Sequence, residues 1–232
     1  MRMDRVIETI ESVRHSRVVP QIIKKLRVGT NGMLEPMSIS IVARYGRDPF
    51  LVLVSCLLSS RTKDSVTLPA SFRLFDCALS PEKMLVLSVQ EIERAIYPVG
   101  FYRQKAIAIK KLCVLLVTEH KSVVPSDFAL LTALPGVGPK TANLVLGVGF
   151  GIPALCVDVH VHRICNRLGL VSTKTPLETE KALRVIVPRE YWIELNRLLV
   201  MWGQNVCVPV SPYCSRCVLS DVCPRKGVTR HR

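Results

Sequence analysis

The chain has 232 residues, with 32 Lys+Arg against 18 Asp+Glu, a formal charge of +14 and 49% hydrophobic residues. That length suits one or two small domains with a real core, and an excess of positive charge this large calls for a polyanionic partner. No apolar run is long enough to cross a bilayer and Met1–Arg5 does not open a signal peptide, so an intracellular, cytoplasmic protein is expected.

No stretch reads as a strand; helical periodicity recurs almost throughout. Val6, Ile10 and Val13 share one face of a first helix, and residues 17–27 make a second, basic on one side at Lys24, Lys25 and Arg27. Gly29–Gly32 is a loop and 37–45 a short helix. Asp48-Pro49 supplies an N-cap and an N1 proline for Phe50–Ser59, which is apolar all round and is expected to be the central buried helix. Ser80-Pro81 and Ser88 start two short helices. After Gly100 a long helix runs to about His120, with Ala106, Ile109, Cys113 and Leu116 buried and Arg103, Lys105, Lys110 and Lys111 polar. Val124-Pro125-Ser126 introduces another short helix.

The stretch that carries chemistry follows. Leu134-Pro135-Gly136-Val137-Gly138-Pro139 is too glycine-rich for a regular element, and Lys140–Leu146 is helical. Glycines at 136 and 138 permit positive φ and close approach of backbone amides, and the helix start after them favours an anion, so a phosphate is the natural guest. Lys140 sits in the first turn, where the dipole and partial burial disfavour its charged form; it reads either as a phosphate contact or as a nucleophilic amine. A second break, Gly149–Pro153, precedes Asp158, which is placed as the N-cap of a helix ending near Leu168. Asp158 is either that cap alone or also a carboxylate that faces Lys140, takes its proton or steadies positive charge on a sugar. His160 and His162 are two apart and do not make a metal pair on a helix.

Thr175-Pro176 opens a helix that Pro188 stops, and Trp192, Leu195, Leu199 and Trp202 mark the core face of the next. Nine cysteines remain to be placed. Cys56, Cys77, Cys113, Cys156 and Cys165 lie among apolar neighbours and are expected to be buried and reduced. Cys207-x6-Cys214-x2-Cys217-x5-Cys223 places four thiolates within 17 residues, which in an intracellular chain means metal rather than disulfide. Zinc is the generic expectation, but only Cys214 and Cys217 form the short pair that zinc sites usually show twice.

The segment LPGVGPKTAN and the segment VDVHVHRICNRLGL together resemble the helix-hairpin-helix and Gly-Pro-Asp region of the endonuclease III family of DNA glycosylases. The cysteine spacing is similar to that family's [4Fe–4S] loop, for which four Cys is the expected ligation. The resemblance implies an all-α, two-lobed fold: a helical-barrel lobe over 42–152, and a second lobe of 1–41 plus 153–232 with the cluster. Lys140 and Asp158 are then the catalytic pair in a cleft between lobes, and Cys207, Cys214, Cys217 and Cys223 the cluster ligands, their loop pressing Arg216, Arg225 and Lys226 towards phosphates. Gly136, Val137, Gly138, Thr141 and Arg163 are expected at the DNA.

The resemblance also implies that Arg61, where family members commonly carry Gln, enters the gap left by an extruded base. A phosphate contact or a surface charge is the other reading of Arg61. Phe101 matches the family's wedge residue, with core packing as its alternative. The expected activity is that of a bifunctional DNA glycosylase and AP lyase acting on oxidised pyrimidines in duplex DNA, as a monomer and in association with the nucleoid. A monofunctional mismatch glycosylase and a non-catalytic DNA-binding module are the alternatives.

Overall fold

A computed structural model describes residues 18–232. The expected helix through Val6, Ile10 and Val13 lies outside the described residues. No strand occurs among the described residues, and no helix there is long and apolar enough to cross a membrane. The chain divides into two compact units, Pro36–Ala154 and Met1–Glu35 with Leu155–Arg232, against the boundaries of 42 and 152 expected from sequence.

The Pro36–Ala154 unit is built around α3 (Pro49–Ser59). Asp48 caps it, its Oδ1 accepting from the amides of Phe50 at 2.8 Å and Leu51 at 3.2 Å. Every side chain from Phe50 to Leu58 is buried, because neighbouring helices cover α3 on all sides. Each large apolar side chain so buried contributes about 1.5–3 kcal/mol. Around it stand α2 (Met37–Tyr45), α4 (Asp64–Cys77), α5 (Pro81–Val86), α6 (Val89–Ile96), α7 (Tyr102–Glu119), α8 (Phe128–Ala133) and α9 (Pro139–Leu144).

Local chemistry accounts for most of these starts. Ser80 and Ser88 cap α5 and α6, the latter with Glu91 in a reciprocal capping box. The start of α8 is set by Asp127, one residue beyond the expected Ser126. The helix α4 has no counterpart among the sequence expectations, since Pro69 sits inside it and interrupts its hydrogen-bond ladder. Its buried Ala70, Leu74 and Phe75 hold it in place instead.

α7 buries Ala106, Ile109, Cys113 and Leu116 as its pattern requires. Its lysines are not simply a solvated face. Lys110 Nζ donates to the carbonyls of Leu85 and Leu87, both at 2.6 Å, and so closes the C-terminus of α5. α9 runs on into a π-helical turn, Val145–Phe150, which Gly151 ends with φ +73°. That turn presses on α3 closely: a Cβ on Gly149 would stand 3.0 Å from Pro49 Cα.

The other unit packs α1 (18–29), α10 (Val159–Arg167), α11 (Pro176–Ile186) and α12 (Trp192–Asn205). Trp202, Leu195, Leu198 and Leu199 are all at most 2% exposed, and Trp192 is half-buried. Arg27 pairs with Glu194 and Arg197 with Glu35, tying α1 and its following loop to α12. Cys56, Cys113, Cys156 and Cys165 are buried as expected. Cys77 is not: it lies exposed at the last position of α4, where its thiol reaches the carbonyl of Arg73. Apolar sequence neighbours do not bury a residue that falls on the outer face of a helix.

Candidate active site

The hairpin is formed by α8, the turn 134–138 and α9. Gly136 takes φ +77°, a conformation that strains any residue with a Cβ. Gly138 does not need that freedom: its φ is −95° and a Cβ there would meet nothing within 4 Å. Its role in the turn is therefore to leave space, not to bend. It is the N-cap of α9, and as glycine it offers no side chain to the first-turn amides, while Pro139 occupies N1. Val137 turns its side chain into the core, at 6% exposure, and its amide donates to Leu134 O at 3.1 Å, closing the turn. Thr141 is half-buried.

Lys140 stands in the first turn of α9 and is exposed. The helix position matches expectation, but the partial burial expected from sequence is not there. The hairpin lies over α3: a Cβ on Gly136 would come within 3.3 Å of Leu57, and the charge of Lys140 reaches Cys56. Burial nevertheless pushes the Cys56 thiol up to about 12, so this cysteine is an inert neighbour rather than a second nucleophile.

Asp158, in the other unit, is a buried carboxylate at 9% exposure. Its Oδ1 accepts from the amides of His160 and Val161, both at 2.9 Å, so it caps α10 as its placement before VHVHRIC requires. Both bonds fall on one oxygen. A cap of this kind also fixes the carboxylate rigidly, which a group meant to stabilise charge on a substrate needs.

Arg163, expected at the DNA, spends most of its donors inside its own unit. Its Nη2 donates to Cys207 O at 2.8 Å and Gly203 O at 3.0 Å, and its Nε to Cys207 O at 3.1 Å. Burial pushes its guanidinium down from the ordinary value. It is a strut between α10, α12 and the cysteine loop. Sequence placed it correctly on a helix but could not show that the carbonyls 40 and 44 residues away consume its donors.

Cys207, Cys214, Cys217 and Cys223 all line one apolar pocket together with Arg167 and Tyr213. Among the described residues no three His, Cys, Asp or Glu side chains group so as to hold a single metal ion. A four-iron cluster would draw one thiolate from each of the four cysteines rather than gather three ligands on one ion. Two observations fit a cluster there. The indole N–H of Trp202 is buried without a hydrogen-bond partner, yet lies where it favours the thiolate of Cys217; a metal-bound sulfur at Cys217 would supply the missing acceptor. Arg167 Nη1 points at Cys207 Sγ from 3.3 Å, with Val208 O at 2.8 Å fixing its fork. Of the basic side chains expected to face phosphates, Arg216 lies over the Tyr213 ring at 4.0 Å, as does Arg232 on the same ring.

Arg61 and Phe101 come together in the Pro36–Ala154 unit. Arg61 follows the end of α3 and Phe101 precedes α7. Both are exposed, and both have positive φ, 53° and 58°, which costs roughly 1–2 kcal/mol for each such residue. The guanidinium stands over the ring at 5.8 Å. At 57% exposure Phe101 is no core residue.

Known proteins resemble this chain in both sequence and fold. Residues 54–189 match the family described as HhH-GPD superfamily base excision DNA repair protein. The chain is 42% identical over 210 residues to a Thermotoga maritima protein named Endonuclease III, covering 86% of this chain and 99% of that one. It is 43% identical to the chloroplastic Endonuclease III homolog 2 of Arabidopsis thaliana, over 75% of this chain but only 48% of that protein. Two solved structures are similar at TM-score 0.79 and 32% identity over 90% of this chain: a non-covalent Endonuclease III–DNA complex, 95% covered, and a trapped Endonuclease III–DNA covalent intermediate, 96% covered. With the glycine-capped hairpin, its lysine and the aspartate-capped helix in place, the chain belongs to the HhH-GPD superfamily of base excision DNA repair proteins.

Proposed function

We propose that this protein is a bifunctional DNA glycosylase and AP lyase that removes oxidised pyrimidines from duplex DNA. The observation that carries the reading is Lys140: a primary amine exposed in the first turn of a helix whose glycine cap leaves room for a sugar-phosphate backbone. The turn through Gly136 and Gly138 and the start of α9 at Thr141 hold a phosphate without reading sequence.

A target base must leave the stack before its glycosidic bond can be reached. Lys140 Nζ then attacks C1′, the C1′–N bond breaks and the base departs with the electron pair. Loss of the amine proton and opening of the sugar ring give a Schiff base between C1′ and Nζ. The imine acidifies the C2′ proton, and its removal expels the 3′ phosphate by β-elimination, nicking the strand. Asp158 steadies the cationic sugar in the first step and accepts a proton in the later ones.

Cys207, Cys214, Cys217 and Cys223 hold a [4Fe–4S] cluster. That group supplies a rigid, charged centre for the loop, not a step in base removal. Arg163 and Arg167 tie the loop to α10 through the carbonyls of Cys207 and Val208. All named residues come from one chain, so the reading asks for a monomer, acting wherever duplex DNA is kept, which in a bacterial cell is the nucleoid.

Borohydride reduction in the presence of abasic-site DNA is the test. The wild-type chain gives a covalent adduct and Lys140→Gln gives none. An absent wild-type adduct sinks the lyase reading, and base release without strand scission assigns the chain to monofunctional glycosylases.

A further inference from the structure

We propose that Lys105 is a positioning residue that holds Arg61 and Phe101, the two side chains the family resemblance places at the extruded base, as one rigid projection. The inference rests on the DNA-repair reading above, but not on the lysine chemistry.

Lys105 lies one turn into α7, and its side chain runs back towards the N-terminus of that helix, as long helical side chains do. Its ammonium donates to Leu58 O at 2.7 Å, Ser60 O at 2.6 Å and Thr62 Oγ1 at 3.3 Å. Leu58 O is one of the last carbonyls of α3, which have no partner inside the helix, and Ser60 is its C-cap. One cation therefore closes α3 and fixes the loop on both sides of Arg61. The same Thr62 Oγ1 accepts from Gly100 N at 3.1 Å, welding that loop to the turn that carries Phe101. A Cβ at residue 100 would meet Thr62 Oγ1 at 3.1 Å and Arg61 O at 3.2 Å, so the two loops are in close contact. From the far side, Arg73 of α4 bonds the carbonyls of Ala95 and Tyr97.

The product of these bonds is a cation over an aromatic ring, both exposed and both held in a left-handed backbone conformation. Such backbone strain persists only where the surroundings over-determine it, and an exposed aromatic with an arginine is the chemistry that stacks on unpaired bases. Burial alone, with no charged neighbour, lowers the Lys105 amine to about 8, so it is an ammonium at neutral pH.

Lys110 is a built-in control. It closes α5 from the same helix by the same chemistry but touches neither Arg61 nor Phe101.

The probe is a duplex carrying an uncleavable tetrahydrofuran abasic analogue with 2-aminopurine beside it, whose fluorescence rises when the stack opens. Arg61→Ala and Phe101→Ala lose the rise. Lys105→Met falls to their level, Lys105→Arg keeps most of the signal, and Lys110→Met keeps all of it. The wild-type rise shrinks as pH passes about 8, and Lys105→Arg removes that pH dependence. A wild-type rise in Lys105→Met overturns the inference, as does an equal loss in Lys110→Met, which marks general destabilisation. If Arg61→Ala and Phe101→Ala both keep the full rise, the projection does not enter DNA and the inference fails, while trapping at Lys140 still stands or falls by itself. Should Lys105→Met not fold, the pH profile of Lys105→Arg decides alone.

Discussion

Asp158 carries two loads, and two substitutions separate them. Its Oδ1 accepts from His160 N and Val161 N, both at 2.9 Å. Asp158→Ala removes both acceptors; loss of a side-chain N-cap costs about 0.5–2 kcal/mol. Asp158→Asn keeps an oxygen in the same place and loses only the attraction between a carboxylate and the helix N-terminus, ~0.3–1 kcal/mol. In a chain of this size 1 kcal/mol moves the melting temperature by roughly 2–4 °C. The Ala variant should therefore melt roughly 1–8 °C low and the Asn variant roughly 1–4 °C low, with Ala the lower of the two. Catalysis should rank differently. Both variants lose the anion, so both should release base about 10²–10⁴-fold more slowly in single turnover, with DNA affinity little changed. Thermal unfolding and quenched base release on the same preparations give the two rankings. If activity follows melting temperature, with Asn near wild type, Asp158 is a helix cap and nothing more.

The two glycines that crowd or clear space should part company. Gly149→Ala forces a Cβ to 3.0 Å from Pro49 Cα and should cost about 1–3 kcal/mol in denaturant unfolding, as overpacking does. Gly138→Ala, at φ −95° in open space, should leave stability unchanged and weaken DNA binding; unchanged binding would show that no phosphate approaches this turn. Arg163→Ala strips Cys207 O and Gly203 O of a half-buried donor, so the purified protein should carry less iron and sulfide and lose its brown colour faster under chelator; full iron retention would make the strut dispensable. Lys105 predicts a pH effect on folding. Its folded value of about 8 lies below the 10.5 of an unburied lysine, so between those limits the unfolded chain holds the proton that the folded chain has lost. Its burial penalty is complete below about 8 and relieved above it, and wild type should gain stability over Lys105→Arg as pH rises through that window. A pH-independent difference between the two would show that the amine is not desolvated.

Much of this protein is written locally. Asp48, Ser80, Ser88, Asp158 and Thr175 each start a helix through a side chain that meets amides two or three residues on, and that chemistry needs no distant partner. The apolar run 50–58 had to be covered on every side, and Ala106, Ile109, Cys113 and Leu116 had to face inward, because periodicity alone orients a helix. The hairpin lysine and the four C-terminal cysteines are legible for the same reason: spacing along the chain is the signal.

What the tertiary structure decided lies at long sequence separation. It keeps α4 helical through Pro69, because packing of Ala70, Leu74 and Phe75 outweighs the broken ladder. It turns Cys77 outward and Phe101 into solvent. It spends Arg163 on carbonyls at residues 203 and 207, and Lys105 on carbonyls at 58 and 60. A charged side chain in the sequence carries no mark of where its donors will go. Only the fold brings an unpaired helix-end carbonyl within reach, and a backbone acceptor that every residue possesses leaves no trace in the residue types.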